Sequence, residues 1–145
     1  MAKQISYLPQ EERVAAHPEE GWIERGQRKE LIRIIADGSR ITYRCGHQGG
    51  LFSDSYRDPE ERVRAEFFVE LAERYQYPPA RIDFEVEVPR RTPKDKADLV
   101  IYQDDNLKTV YCVVECKPDG ISEAEIEQAV KQAGGNANNF RALYG

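Results

Sequence analysis

The sequence has few cysteines, no long apolar run and no signal-peptide core. Each absence argues against one class of protein: disulfide-bonded, membrane-spanning or secreted. Its three cysteines, Cys45, Cys112 and Cys116, leave an odd one over. Two of them lie in one predicted strand and cannot bridge each other, so reduced, buried thiols are expected. No segment approaches the roughly 18 apolar residues of a membrane span. The N-terminal stretch MAKQISYLPQEERV lacks an apolar leader core, which predicts a cytoplasmic protein with no membrane partner.

Basic residues are outnumbered, with 21 Lys and Arg against 26 Asp and Glu and a net charge of -5. This balance argues against a surface that attracts nucleic acid everywhere, because such binding needs Lys and Arg to replace counterions on phosphates. It does not exclude a nucleic-acid site confined to one part of the surface. The densest basic cluster is PRRTPKDK, where Arg90, Arg91, Lys94 and Lys96 precede Asp98. It is read either as a solvated loop or as a DNA contact.

The length of 145 residues, with 40% apolar and 32% charged residues, predicts one globular domain with its own core. The sequence contains no internal repeat. It also contains no G-x-x-x-x-G-K-[ST] phosphate loop, so no nucleotide-driven motor is encoded in it.

The N-terminal part predicts a helix, a strand and a loop. In GQRKELIRIIADGS, Leu31, Ile34 and Ile35 have helical spacing and Gly38 is placed as a C-terminal cap. RITYRC then predicts a short strand. The Gly-rich stretch GHQGGLFSDSYRD predicts a mobile loop.

The C-terminal part predicts a helix, three strands and a second helix. In DPEERVRAEFFVELAERY, Asp58 is the N-cap, Pro59 is the first helical residue and Glu61 stands where a capping box has an acid. The apolar stripe of this helix is Val63, Phe67, Leu71 and Tyr75. The stretches RIDFEVEVP, ADLVIY and TVYCVVECK predict strands, and the short QDDN turn pairs the last two as an antiparallel hairpin.

The second helix follows in SEAEIEQAVKQA. Ser122 and Glu125 form a predicted capping box at its start. Its predicted buried side consists of Ile126, Ala129, Val130 and Ala133.

Charged residues at one end of this hairpin point to chemistry. Glu115 and Lys117 are two residues apart, so their side chains share one face of the third strand. Because the strands are antiparallel, Asp98 near the start of one is expected beside the end of the other. Two carboxylates suit Mg²⁺, with the backbone carbonyl of Cys116 as a further ligand, and an ammonium group can orient a water or balance charge on a phosphate. The pattern indicates phosphodiester hydrolysis.

Asp98 followed 17 positions later by Glu115-Cys116-Lys117 resembles the PD-(D/E)xK nuclease superfamily, with Ala97 in place of the proline. The successive stretches DPEERVRAEFFVELAERYQYPPARIDFEVEVP, KADLVIY and VVECKPDG look like the N-terminal nuclease region of the R subunit of type I restriction-modification enzymes. The resemblance covers about Asp58 to Gly145.

This resemblance implies an α/β fold of the restriction-endonuclease type, a mixed sheet flanked by helices. Residues 58–145 are expected to form the nuclease core and residues 1–57 an N-terminal extension packed on it. The sequence is expected to stop before the last strand, as a fragment of a longer chain with an ATP-driven motor. Arg40 to Cys45, or a neighbouring molecule, would then pair with the open edge.

The resemblance also implies roles for individual residues. Asp98 and Glu115 are expected to bind metal, and Lys117 is expected to be the catalytic lysine. Superfamily members often add a glutamine and an aromatic residue one turn apart on the next helix. Gln132 is the better match and Gln128 the second, although Asn136 stands where the aromatic would be.

An acid from the first helix completes the expected site. Glu66, at the margin of the apolar stripe, is preferred, and Glu70 is the alternative. The implied cofactor is Mg²⁺, with Mn²⁺ as a substitute and ATP acting only through a motor outside this sequence. The implied partners are double-stranded DNA and the specificity and modification subunits.

Several alternatives stay open. The chain is alternatively a docking module that keeps the nuclease fold without its chemistry, or a nuclease of another branch, such as a repair or Holliday-junction enzyme. Glu66, Gln128 and Gln132 also fit as ordinary helix residues. A zinc site is disfavoured because no C-x-x-C spacing occurs and two of its cysteines are expected to face the core. Its ligands would be Cys45, His47, Cys112 and Cys116.

Overall fold

The structure is a computed structural model that describes residues 20–145. Residues 1–19, which include the start of the predicted extension and the stretch without a leader core, lie outside the described residues. Within the described part, no helix has both the length and the apolar composition needed to cross a bilayer. The elements are α1 (Trp22–Arg28), β1 (Ile32–Ile34), β2 (Arg40–Arg44), β3 (Leu51–Ser55), α2 (Pro59–Glu73), a 3-10 turn (Pro79–Arg81), β4 (Ile82–Glu87), β5 (Lys96–Tyr102), β6 (Val110–Val114) and α3 (Glu123–Phe140).

The α/β class is confirmed, but the strands form two antiparallel three-stranded sheets where one mixed sheet was predicted. The strand orders are β1-β2-β3 and β4-β5-β6. The sheets meet where Gly46, after β2, donates its N–H to the carbonyl of Ile82 in β4 at 2.7 Å. A Cβ on Gly46 would lie 2.3 Å from the carbonyl oxygen of Ala80, so this close approach requires glycine.

The helix predicted around residues 26–39 is wrong in position. The helix α1 lies upstream, and Ile32, Arg33 and Ile34 form β1, with the first buried, the second exposed and the third half-buried. Ile32 pairs with Tyr43 of β2. Gly38, predicted as a helix cap, has a φ of +73° between β1 and β2. The apolar spacing here fits either element, and pairing with β2 decides for the strand.

The strand β2 confirms the prediction for RITYRC, whereas β3 lies in the stretch that was predicted to be a mobile loop. It pairs with β2 in the register Thr42 to Ser53 and Tyr43 to Phe52. Phe52 stacks on Phe84 of β4 with ring centroids 5.0 Å apart. Phe52 anchors this strand, whereas its apolar neighbour Leu51 is exposed and the other residues are polar, which is too weak a signal to read from the sequence.

The helix α2 begins where the sequence predicts. The Asp58 carboxylate accepts a hydrogen bond from the N–H of Glu60 at 2.9 Å, and Pro59 is the first helical residue. The predicted capping box at Glu61 is not formed. The Glu61 carboxylate is instead buried and accepts a hydrogen bond from the Tyr43 hydroxyl at 2.5 Å. A tertiary partner has replaced the local one.

One core lies between α2 and the two sheets. Ala65, Phe68 and Val69 are wholly buried on α2, whereas Leu71 is the fully buried member of the predicted stripe. The other stripe residues, Val63, Phe67 and Tyr75, are half-buried. Opposite the helix, the fully buried sheet residues include Tyr43, Ile82, Phe84, Leu99 and Ile101. Burying each large apolar side chain contributes about 1.5–3 kcal/mol, so this core is the main stabilising contact of the fold.

The three strands predicted in the C-terminal part are confirmed as one sheet, including the hairpin. Leu99 of β5 pairs with Val114 of β6 and Ile101 pairs with Cys112. The other neighbour of β5 is β4, where Glu85 has a φ of +52° and lies between the pairs Phe84–Leu99 and Val86–Ala97, whose register is unchanged. This irregular residue lies opposite Asp98 of β5.

The helix α3 starts with the predicted cap, in which the Ser122 hydroxyl accepts a hydrogen bond from the N–H of Glu125 at 3.2 Å. Its predicted buried side is partly wrong, because Ile126 and Val130 are 48% and 43% exposed. Ala129 and Ala133 are half-buried, and the buried positions are Asn136 and Ala137. Only the second half of the helix packs on the sheet, and the apolar spacing alone does not show where that contact starts.

The edge of β6 is not paired as expected. Leu143 and Tyr144 run beside it, and Tyr144 forms a parallel bridge with Cys112, with its carbonyl accepting from the N–H of Val113 at 3.0 Å. The predicted substitute, Arg40 to Cys45, belongs to the other sheet. Residues close in sequence to α3 therefore reach this edge first.

Candidate active site

The structure brings Asp98 and Glu115 together at one end of the β5–β6 hairpin. Leu99 of β5 pairs with Val114 of β6, so Asp98 and Glu115 are the next residues towards this end of the hairpin. The N–H of Cys116 donates to Asp98 Oδ2 at 2.7 Å, which extends the contact one residue beyond the end of β6. Glu115 and Lys117 thus lie just after the strand rather than within it.

The Glu115 carboxylate is strongly affected by its surroundings. Burial, and next the negative charge of Asp98, raise the pKa of Glu115 to about 8. The side-chain amide of Asn136 on α3 opposes this shift by donating to Glu115 Oε1 at 2.9 Å. A second negative charge beside Asp98 is therefore unfavourable unless a cation is bound, and a cation at this place would favour the charged form of Glu115.

Lys117 faces an acid that the sequence analysis missed. Its Nζ lies 4.0 Å from Glu60 Oε1, and both side chains are about one-third exposed. Burial, and next the charge of Asp98, raise the pKa of Glu60, whereas Lys117 lowers it. Glu60 is therefore the acid of α2 that neighbours Asp98 and Lys117. The available signal was its place in the first helical turn, where an acid is favoured by the helix dipole.

The structure does not bring the two predicted helix acids to this place. Glu66 forms an exposed pair with Arg62 one turn earlier, at 3.1 Å. Glu70 is buried near Arg74, at 3.5 Å. At 3.6 residues per turn, Glu66 lies more than one and a half turns from Glu60 and on another face of α2. The apolar stripe was thus a poor guide to the side that carries the acid.

The two predicted glutamines differ in their placement. Gln132 donates to Asp95 Oδ2 at 3.2 Å, and Asn136, one turn later, reaches both Asp95 and Glu115. Although burial opposes the shift, hydrogen bonds from the N–H of Lys96 and from the two amides lower the pKa of Asp95. Gln128 is exposed. Asn136, at the position expected for an aromatic, therefore makes the direct contact with the carboxylate pair.

The basic residues of the predicted loop differ in direction: some side chains turn towards α3 and others point to the solvent. Arg91 Nη1 lies 3.6 Å from Asp95 and donates a short hydrogen bond to Asn136 Oδ1, so it supports the network beneath Glu115. Arg90 donates to the carbonyl of Asn139 at 2.6 Å.

The two lysines of the predicted basic stretch lie on the outside, and the second of them, Lys96, is the first residue of β5. Lys94 is exposed, with its Nζ 3.7 Å from Glu87, and Lys96 is also exposed. These two cations are more accessible to a ligand than Arg91 is.

A comparison with known protein families shows which family the chain belongs to. The family described as the type I restriction enzyme R protein N terminus matches residues 59–144, a span that contains α2, the hairpin and α3. This chain belongs to that family. It therefore has a role in restriction. No curated protein and no solved structure matches it.

In this R protein N-terminal domain, a buried arginine lies behind the carboxylate pair. Arg64 of α2 donates to Glu61 at 2.7 Å, to Glu85 at 2.6 Å and to Asp54 at 3.1 Å. It also reaches the backbone carbonyl of Asp98 at 3.4 Å. Although burial opposes it, the neighbouring carboxylates raise the pKa of Arg64, so the guanidinium stays charged.

Arg64 also lines a small cavity of about 90 Å³ that reaches Glu60, Asp98 and Cys116. Its guanidinium lies over the rings of Phe52 and Phe84, 5.4 and 5.3 Å from their centroids. It balances the acids on one side of Asp98 and supports the backbone of β5. Sequence reasoning missed this residue because its partners come from three separate elements.

The alternative zinc site has no support among residues 20–145, where no group of three or more His, Cys, Asp or Glu is arranged to hold a metal. His47 Nδ1 lies 2.7 Å from Asp83 Oδ1. The three cysteines are buried and unpaired with one another, as predicted. Burial raises the pKa of the Cys112 thiol to about 12, which disfavours the thiolate that a zinc site needs.

Proposed function

We propose that this domain is an Mg²⁺-dependent endonuclease of the PD-(D/E)xK superfamily that hydrolyses phosphodiester bonds of double-stranded DNA as part of a type I R subunit. The observation that carries the proposal is the meeting of Asp98 and Glu115, with Lys117 two residues on. The family match supports the R subunit over a repair or junction nuclease.

The donors fit Mg²⁺. This ion takes oxygen ligands, keeps several waters and needs only one or two protein carboxylates, so a preformed set of three is not required. Asp98 and Glu115 would hold it, with the carbonyl of Cys116 and the carboxylate of Glu60 as further oxygens. When bound, it polarises a phosphate and makes a coordinated water more acidic.

The side chains around the pair have supporting tasks in this proposal. The Lys117 ammonium orients the attacking water or balances charge that builds on the phosphate. Asn136 holds Glu115 in place, and Arg64 holds the backbone of Asp98. Double-stranded DNA, the specificity and modification subunits, a cytoplasmic setting and an ATP-driven motor elsewhere in the R subunit belong to the same proposal.

Calorimetric titration with Mn²⁺ tests the metal site without needing cleavage. We expect saturable binding in the natural sequence, loss of binding in Asp98→Ala and at least a tenfold loss in Glu60→Gln, which corresponds to about 1.4 kcal/mol. Glu66→Gln is the matched control, because it removes an acid of the same helix that is paired away from the centre. Plasmid nicking that Lys117→Ala abolishes would then establish the reaction. Equal binding in all four proteins contradicts the assignment.

A docking module without chemistry is the second candidate. One observation favours it: Asp98 already accepts from the N–H of Cys116, and Lys117 already faces Glu60, so the charged groups have partners without a ligand. The two candidates differ in metal binding. A module of this kind would bind DNA or a subunit but give no saturable Mn²⁺ signal, even with a DNA duplex present.

A further inference from the structure

A groove of about 400 Å³ lies between the end of α3, the β4–β5 loop and the β5–β6 turn. Its polar rim carries Arg90, Lys108 and Arg141, and the half-buried rings of Tyr102 and Phe140 line it. This volume is in the range of grooves that hold a ligand of nucleotide size.

The groove is positively charged in a protein whose net charge is -5. Its three cations face one lining acid, Glu87, and that acid lies 3.7 Å from Lys94. Asp105 in the nearby turn is held by Arg81 at 2.8 Å.

The two outer cations of the groove are accessible. Within residues 20–145, the side chains of Lys108 and Arg141 form no ion pair, and both residues are exposed. Unpaired cations around a concave surface attract an anion, and the phosphodiester backbone offers several of them in a row.

The groove and the carboxylate pair are both bordered by the β4–β5 loop and by α3. Arg90 belongs to the groove, whereas its neighbour Arg91 reaches Asn136, the residue that holds Glu115. Phe140 lies about one helical turn, roughly 5 Å, beyond Asn136 on α3. A nucleic-acid strand seated in the groove would therefore continue towards the candidate active site.

We propose that this groove binds the sugar-phosphate backbone of one DNA strand as it runs from the β5–β6 turn towards the cleavage site, with Arg90, Lys108 and Arg141 contacting phosphates and the two rings contacting sugars. The proposal rests on the proposed function, because it takes DNA as the substrate. Such contacts position the duplex and do not read its sequence. Arginine and lysine supply them through charge-assisted hydrogen bonds.

Fluorescence anisotropy with a labelled DNA duplex in EDTA tests the groove without cleavage. The variant is the double substitution Lys108→Gln and Arg141→Gln, both at exposed positions. The matched control is Arg33→Gln with Arg40→Gln, which makes the same charge change at exposed positions of the other sheet. Mn²⁺ titration of each protein reports separately on the metal site and on folding.

The salt dependence gives the expected size. Each lost phosphate contact reduces the slope of log affinity against log salt by about 0.9, so between 50 and 200 mM salt the natural sequence should lose about 12-fold more affinity than the groove variant. The control variant should keep the natural slope, and the groove variant should keep its Mn²⁺ binding.

Two results would contradict the proposal that the groove binds DNA. If both double variants bind DNA alike, the groove is refuted while intact Mn²⁺ binding leaves the nuclease proposal standing. If the natural sequence binds no DNA even at low salt, the groove is refuted whatever the metal titration gives. Loss of Mn²⁺ binding in Asp98→Ala combined with unchanged DNA binding supports the two proposals independently.

Discussion

The carboxylate pair makes a specific prediction about stability in the absence of metal. The folded protein holds the pKa of Glu115 at about 8, whereas the unfolded chain releases this proton at the ordinary value of a glutamate, near 4.5. Between these values the folded state binds more protons than the unfolded state. Raising the pH through this window therefore favours unfolding, the opposite of what a carboxylate with a salt bridge does.

The size of the effect follows from the shift. A fully shielded carboxyl would lose about 4 kcal/mol of stability between pH 5 and pH 8. Because the Glu115 residue is half-buried and partly screened by water, we expect about half of that, roughly 2 kcal/mol. Glu115→Gln replaces the protonated acid with a neutral group of the same shape, and its carbonyl can still accept from Asn136.

Urea unfolding in EDTA, followed by the fluorescence of the single tryptophan, Trp22, measures this difference. Trp22 packs against the core and should report its loss. The variant should be progressively more stable than the natural sequence as the pH rises from 5 to 8. Parallel pH curves for the two proteins would refute the strong coupling of Glu115 to Asp98 and to burial.

Three further changes test the support of the site, each by urea unfolding. Arg64→Gln should cost about 3–5 kcal/mol because it leaves buried acids without their cation, whereas Arg62→Gln, at an exposed pair, should cost under about 1 kcal/mol; equal losses would contradict the role of Arg64. Tyr43→Phe should cost about 1–3 kcal/mol by removing a buried hydroxyl donor, and a neutral result would show that its acceptor is solvated. Gly46→Ala should cost about 1–3 kcal/mol, since its Cβ would collide with the carbonyl of Ala80; unchanged stability would contradict the close contact of the sheets.

The meeting of Asp98 and Glu115 follows from local sequence. A short connection joins two antiparallel strands, so a residue near the start of β5 comes close to a residue just after β6, with one irregularity in register at Ile101 and Tyr102. The caps at Asp58 and Ser122 are local in the same way. Each of these predictions needed only residues within one element or one turn.

The acid that accompanies the pair was beyond local reasoning. Glu60, Glu66 and Glu70 all lie on α2, and the sequence does not say which face of the helix turns towards β5. That orientation depends on how Phe68 and its neighbours pack between two sheets. Asn136 is a similar case, because α3 buries only its second half.

The division of the charged residues was also decided by tertiary contacts. Arg64 joins acids from β3, α2 and β4, and Arg91 turns inward to α3 while Lys94 stays outside. Ile32–Ile34 forms a strand because it pairs with β2. The sequence by itself determined the hairpin, the caps and the pair of carboxylates, because these depend on spacing along the chain. The tertiary structure decided which distant side chains surround that pair, because burial and ion pairing depend on which faces of separate elements meet.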